Sequence, residues 1–204
     1  MNTPCQVNAA MADTFLKVSD QLLAETERGS VVLAFAWMDE ELTRILRRHF
    51  LPTRAESEKA DELFGVGRPV GDAATKIDVA FRLNLINAAT RESLHLARRL
   101  RNDFAHLSTS LTFETDSVKD RVKNLFRLQE EVLGAIWSVT STVPELRAMV
   151  QAHEGKEPVS ALLDQFGAKR LFAMTAGTIV AGLVMITSEI VSVANLVTRH
   201  QSEA

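Results

Sequence analysis

Apolar residues recur along most of this chain at the i, i+3, i+4 spacing of a helix face, and sustained period-two alternation is missing. Over 9–27, Phe15, Val18, Leu22 and Leu23 fall on one side, and Gly29 is expected to break or kink that helix. Over 31–50, Val31, Phe35, Met38, Leu42, Ile45 and Leu46 form a stripe opposite Glu40, Glu41, Arg44, Arg47 and Arg48, and Arg44, Arg47, Arg48 and His49 are expected to form a solvated charged face. Pro52 ends it. A glycine-rich run, LFGVGRPVGD, reads as a loop and as the connection best suited to motion or function. A third helix over 72–83 would turn Ala73, Ile77, Ala80 and Phe81 inward, and after a break at 84–87 a fourth over 88–106 carries Leu94, Ala97, Leu100 and Phe104. Residues 108–115 suggest an extended connection, too short to found a sheet. Asp116 is the expected N-cap of a fifth helix through Val132 and Trp137, Pro144 opens a short helix, and Pro158 opens another reaching Phe166. The fold class that follows is all-α, a single-domain bundle with a helical body over 9–166 and an apolar closing helix over 167–200.

That closing helix admits two readings. Between Arg170 and Arg199 lie 28 residues with one charge, Glu189. As a helix they span ~42 Å at about 1.5 Å per residue, enough to cross a bilayer. Thr175, Thr178, Thr187, Ser188 and the internal Glu189 favour instead a helix buried in the bundle or at a dimer interface. Ala173, Gly177 and Ala181 recur every four residues, a spacing that lets another helix approach closely.

Composition narrows function mainly by exclusion. The 204 residues carry 23 Lys and Arg against 26 Asp and Glu, a net charge of −3, so whole-surface binding to nucleic acid is not expected. No helix-turn-helix with a basic recognition helix is legible, which argues against direct DNA binding. The single cysteine, Cys5, excludes an intrachain disulfide and a Cys-based metal cluster. His153, Glu154 and Glu157 lack the spacing of a helical metal pair. With no phosphate-binding glycine loop and no nucleophile elbow, neither cofactor nor metal is expected. The N-terminal residues lack a basic flank followed by an apolar run, so the expected compartment is the cytoplasm.

The densest chemistry is Arg98-Arg99-Leu100-Arg101-Asn102-Asp103-Phe104-Ala105-His106, with Arg91 and His95 upstream. Arg98 shares a helix face with Asn102, Arg99 with Asp103, and Asn102 with His106. Arginine offers planar donors to a phosphate, and histidine ordinarily titrates near ~6.5. Together they are the minimum equipment for cleaving RNA through its own 2′-hydroxyl without a metal. The same residues also suit a purely structural helix end, with Asp103 holding Arg99 or His106.

At these residues the chain resembles the mannitol operon repressor family. The likeness rests on Glu25-Thr26-Glu27-Arg28-Gly29, Met38-Asp39-Glu40-Glu41-Leu42 with Ile45-Leu46, Leu63-Phe64, Ala74-Thr75-Lys76-Ile77-Asp78, Leu83-Asn84-Leu85-Ile86 and the arginine-rich motif, with Lys169-Arg170-Leu171-Phe172 opening the last helix. It implies a noncatalytic helical regulator, a homodimer that represses transcription through a protein partner. The spacing of Arg101 and His106 also resembles HEPN helical bundles. That likeness implies an alternative, a metal-independent ribonuclease or RNA-binding protein in which Arg101 clamps the scissile phosphate, His106 activates the 2′-hydroxyl and Asn102 orients the site. Arg98, Arg99 and Asp103 would then flank the bound partner.

Overall fold

Three helix starts in this chain are set by side chains that satisfy the free amides of the first turn. Thr26, Asp72 and Asn87 each accept such hydrogen bonds: Thr26 from Gly29 N, Asp72 from Ala74 N and Thr75 N, and Asn87 from Thr90 N at 2.8 Å. The computed structural model describes residues 4–51, 61–106, 111–129 and 158–190. Among them are six helices and no strand: α1 (Pro4–Ala24), α2 (Glu27–His49), α3 (Ala73–Arg82), α4 (Ala88–Ala105), α5 (Asp116–Arg127) and α6 (Pro158–Glu189). The fold is an all-α helical bundle.

The expected stripes of α2 and α4 are all buried, and with Ile77 and Ala80 of α3 they form one core with α5 and α6. At its centre Phe104, Phe113 and Phe172 stack in series, with ring centroids 5.6 and 5.4 Å apart. These tilted contacts join α4, the 111–115 connection and α6.

Helix α6 is the spine. It packs most extensively on α1, then on α2 and α5. Its small-residue face receives α1: a Cβ on Gly177 would sit 2.4 Å from Ser19 Oγ and 3.1 Å from the Phe15 carbonyl oxygen. Lys169 Nζ donates to the carbonyls of Leu23 (2.9 Å) and Glu25 (2.6 Å), so a cation closes the C-terminal end of α1. α6 is the one helix among the described residues long and apolar enough to cross a membrane. Two-thirds of its most apolar stretch, 67%, is nonetheless buried inside the bundle.

Several expectations are corrected. The break after α1 falls at Glu25 and Thr26, not at Gly29, because Thr26 caps α2 and leaves Gly29 in its first turn. A Cβ there would lie 2.8 Å from Glu25 Oε2 and 2.9 Å from Thr26 Oγ1, so glycine makes room for the cap. Phe81 is not inward but 37% exposed, with the Arg91 guanidinium 5.1 Å over its ring. Thr115, not Asp116, is the N-cap of α5, and its hydroxyl accepts from Thr112 N. Residues 111–115 form a turn rather than an extended strand, since the Thr112 hydroxyl also accepts from Glu114 N. Helix α6 is kinked at Gly167 (φ 75°, ψ 160°), which joins the two helices expected on either side of it.

The charged face of α2 is solvated at Glu40, Arg44 and Arg48, all exposed, and its side chains also make contacts. Arg44 pairs with Glu40 and with the buried Glu41, Arg48 Nη1 donates to the Thr187 carbonyl at 2.5 Å, and Arg47 lies over Phe64 near Asp61. The glycine-rich loop is pinned too: Asp61 accepts from Leu63 N and Phe64 N, Val70 N donates to the Leu63 carbonyl, and Phe64 and Val70 are buried. The Val132 to Trp137 extension of the fifth helix, the helix at Pro144, His153, Glu154, Glu157, residues 108–110 and the end of the closing helix lie outside the described residues, as does the side chain of Cys5.

Candidate functional site

Helix α4 carries the arginine-rich motif at its C-terminal end, and the burial of Leu94, Ala97, Leu100 and Phe104 fixes which residues remain for chemistry. The basic strip divides in two. Arg91 and His95 are taken up by Asp78 of α3: Arg91 Nε donates to Asp78 Oδ1 at 2.8 Å, and His95 Nε2 lies 3.2 Å from the same oxygen. The Arg91 hydrogen bond, followed by that of His95, holds the Asp78 carboxyl below its ordinary value of 3.8. On α5, the Glu114 carboxylate 2.8 Å away raises the Lys119 ammonium above its ordinary value. Both groups stabilise helix contacts and stand apart from the motif.

Arg98, Arg99 and Arg101 have no acidic partner among the described residues. Arg98 Nε is buried and makes no hydrogen bond. Arg101 is exposed, donates to Asn102 Oδ1 at 3.0 Å and lies 5.9 Å from the centroid of the Phe35 ring. Arg99 is exposed. Asp103 pairs with Arg121 of α5, which compensates the carboxylate beside the arginines. His106 is the C-cap of α4, with extended backbone (φ −70°, ψ 119°); its N–H donates to the Asn102 carbonyl and its own carbonyl accepts from Arg28 at 3.4 Å.

Arg98, Arg101 and Asn102 open onto one groove of about 440 Å³. Its other walls are Val32, Phe35, Ala36 and Asp39 of α2, and Gly71, Asp72 and Ala73 at the start of α3. The shared face of Arg98 and Asn102 therefore matches the spacing, whereas His106 is not among the lining residues. Asp39 lines the same groove, although the sequence pattern did not single it out as a site residue. Its Oδ2 accepts from the buried Lys76 Nζ at 2.7 Å, while its buried Oδ1 has no partner. The signal available was Asp39 directly after Met38 on the apolar stripe, paired with a lysine on the inward side of α3.

Gly71 holds the groove's floor, because a Cβ there would lie 1.7 Å from the Gly65 carbonyl oxygen. The positive φ of Gly65 (110°) and Gly67 (75°) lets the loop fold back that closely. The groove thus presents two guanidiniums with no acidic partner among the described residues and an amide at one side, the carboxylates of Asp39, paired with Lys76, and Asp72, which caps α3, at another, and an apolar wall between. Such a set can hold an anion and orient a polar molecule attached to it.

No family of known proteins matches the chain, and no curated protein does. Among solved structures, the X-ray structure of the MtlR-HPr complex from Escherichia coli contains a chain that is 18% identical, with a TM-score of 0.48, covering 87% of this chain and 98% of that one.

Proposed function

We propose that this protein is a repressor-type transcriptional regulator of the mannitol operon repressor kind, working in the cytoplasm through a protein partner rather than by gripping DNA. The observation that carries this reading is the groove on α4: Arg98 and Arg101 line it beside Asn102 with no acidic partner among the described residues, equipped to recognise, and His106 is not among the residues that line it. Recognition needs only the donors, whereas acid–base cleavage needs the base at the same atoms. The ordered series of motifs from Glu25 to His106 supports the family assignment. The net charge of −3 supports a protein partner over a nucleic-acid surface.

The ribonuclease reading retains one favourable contact, the Arg101 to Asn102 hydrogen bond that would set a phosphate clamp. Because His106 lies off the groove, that reading requires a second copy to complete the site. A monomer by light scattering at micromolar concentration removes it. The test of the primary reading uses purified full-length protein. A photo-crosslinking residue in place of exposed Arg99 is expected to capture one discrete protein, and incubation with structured RNA is expected to leave the RNA intact. Fragments ending in cyclic phosphate that disappear with His106→Ala would replace regulation with cleavage.

A further inference from the structure

The groove between α2, α4 and the start of α3 is furnished for something more specific than an acidic side chain. The geometry points to a small phosphorylated polyhydroxy compound, a sugar or polyol monophosphate, as its ligand. This rests on the reading of the groove as a recognition site and names the chemistry of the small molecule that site would recognise.

Four observations carry it. First, Arg98 and Arg101 face the groove with no ion pair among the described residues, and Arg98 Nε is a buried donor without an acceptor. A buried unsatisfied donor is costly, and an arriving oxygen relieves that cost. Two guanidiniums suit a phosphate monoester, with its charge of about −1.5 to −2 and three acceptor oxygens, better than a single carboxylate. Asn102 stands beside Arg101, so the two can share one anionic group.

Second, the opposite requirement is built into Asp39. Its Oδ2 is committed to Lys76, and its buried Oδ1 is an acceptor without a donor. Phosphate alone cannot satisfy it, because at neutral pH phosphate brings mainly acceptors, whereas a hydroxyl on the same molecule can donate. Lys76 compensates the Asp39 charge, and the second carboxylate on the groove, Asp72, accepts from the Ala74 and Thr75 amides at the start of α3, which together limit repulsion of a phosphate.

Third, Val32, Phe35, Ala36 and Ala73 give the groove an apolar wall suited to the C–H face of a sugar or polyol. Phe35 is 5% exposed, and Arg101 lies over its ring, so a base has no free aromatic face on which to stack. This favours a sugar phosphate over a nucleotide. Fourth, about 440 Å³ lies within the ~300–1,000 Å³ of small-molecule sites, and the close-packed loop at Gly71 defines its floor.

Calorimetry on the purified full chain tests this with aldose, ketose and polyol monophosphates (glucose 6-phosphate, fructose 6-phosphate, sorbitol 6-phosphate), each against its unphosphorylated parent and against inorganic phosphate. At least one monophosphate is expected to bind about tenfold or more tightly than inorganic phosphate, with no binding by its parent at the same concentration. Arg98→Gln and, at an exposed position, Arg101→Gln should each weaken binding about tenfold. Asp39→Asn should lower the preference for the monophosphate over inorganic phosphate. Circular dichroism melts confirm that each variant folds. The proposal is overturned if no monophosphate binds at millimolar concentration, if inorganic phosphate binds equally well, or if the folded arginine variants bind like the wild type. None of these readouts involves the partner, so an inert groove with intact partner capture rejects the sugar-phosphate ligand alone.

Discussion

Two glycines five residues apart on α6 have the same intrinsic helix propensity, yet the structure assigns opposite signs to their replacement by alanine. In a helix interior, Gly→Ala gains about 1 kcal/mol from propensity alone. At Gly182 nothing lies within 4 Å of the new Cβ, which projects into a recess of about 60 Å³ beside Thr90 and Ile186. Gly182→Ala should therefore keep that gain. At Gly177 the same methyl group meets Ser19 Oγ at 2.4 Å, the Phe15 carbonyl oxygen at 3.1 Å and Phe15 Cδ2 at 3.3 Å. Ser19 can rotate, giving up its 3.4 Å hydrogen bond to the Ala173 carbonyl, but the Phe15 backbone cannot move without shifting α1. Overpacking of this kind costs about 1–3 kcal/mol. Gly177→Ala should thus be neutral to about 2 kcal/mol destabilising, leaving the two variants about 1–3 kcal/mol apart. Urea unfolding of both variants measures the gap. Ser19→Ala in the Gly177→Ala background should recover part of the loss, which a double-mutant cycle isolates. Equal stabilisation by the two alanines would refute the close packing of α1 on α6, and with it the account of α6 as the buried spine.

Other predictions follow from individual contacts. Phe113→Ala removes the middle ring of the Phe104, Phe113, Phe172 series and should cost about 3–5 kcal/mol in chemical denaturation, since all three rings are about 1% exposed; a loss under about 1 kcal/mol would place that turn outside the core. Asp78→Asn should lower stability modestly at pH 7, because the carboxylate is nearly half exposed to solvent. The folded-state pKa of Asp78 lies below 3.8, so its contribution is present above that value and lost as pH falls through the folded pKa; melting curves of variant and wild type should differ at pH 5–8 and converge in acid. Asn87→Ala deletes the hydrogen bond to Thr90 N that starts α4 and should cost about 1 kcal/mol, read as a lower urea midpoint.

Helix existence was legible because periodicity reports which face of a helix is apolar, and the stripes from Val31 to Leu46 and from Leu94 to Phe104 are buried as their spacing implies. What periodicity cannot report is which helix faces which. The inward assignment of Phe81 failed for that reason: Arg91, one helix later, covers its ring at the surface. The site was half legible. Clustering exposed Arg98, Arg101 and Asn102, but Asp39 and Gly71 reach the same groove from α2 and the loop before α3, and only the packing of α2 on α4 and α3 brings them together. The break before α2 was misplaced because glycine carries the stronger general signal, while the local hydrogen bond to Thr26 decides the start.

The central claim is that the arginine-lined groove recognises and that His106 does not catalyse. Its most direct test is transcript profiling in cells lacking the gene, complemented with wild type, Arg101→Gln or His106→Ala at matched protein levels. The account predicts that wild type and His106→Ala restore the same transcripts while Arg101→Gln does not. Equal failure of both variants, accompanied by loss of RNA cleavage, would contradict it.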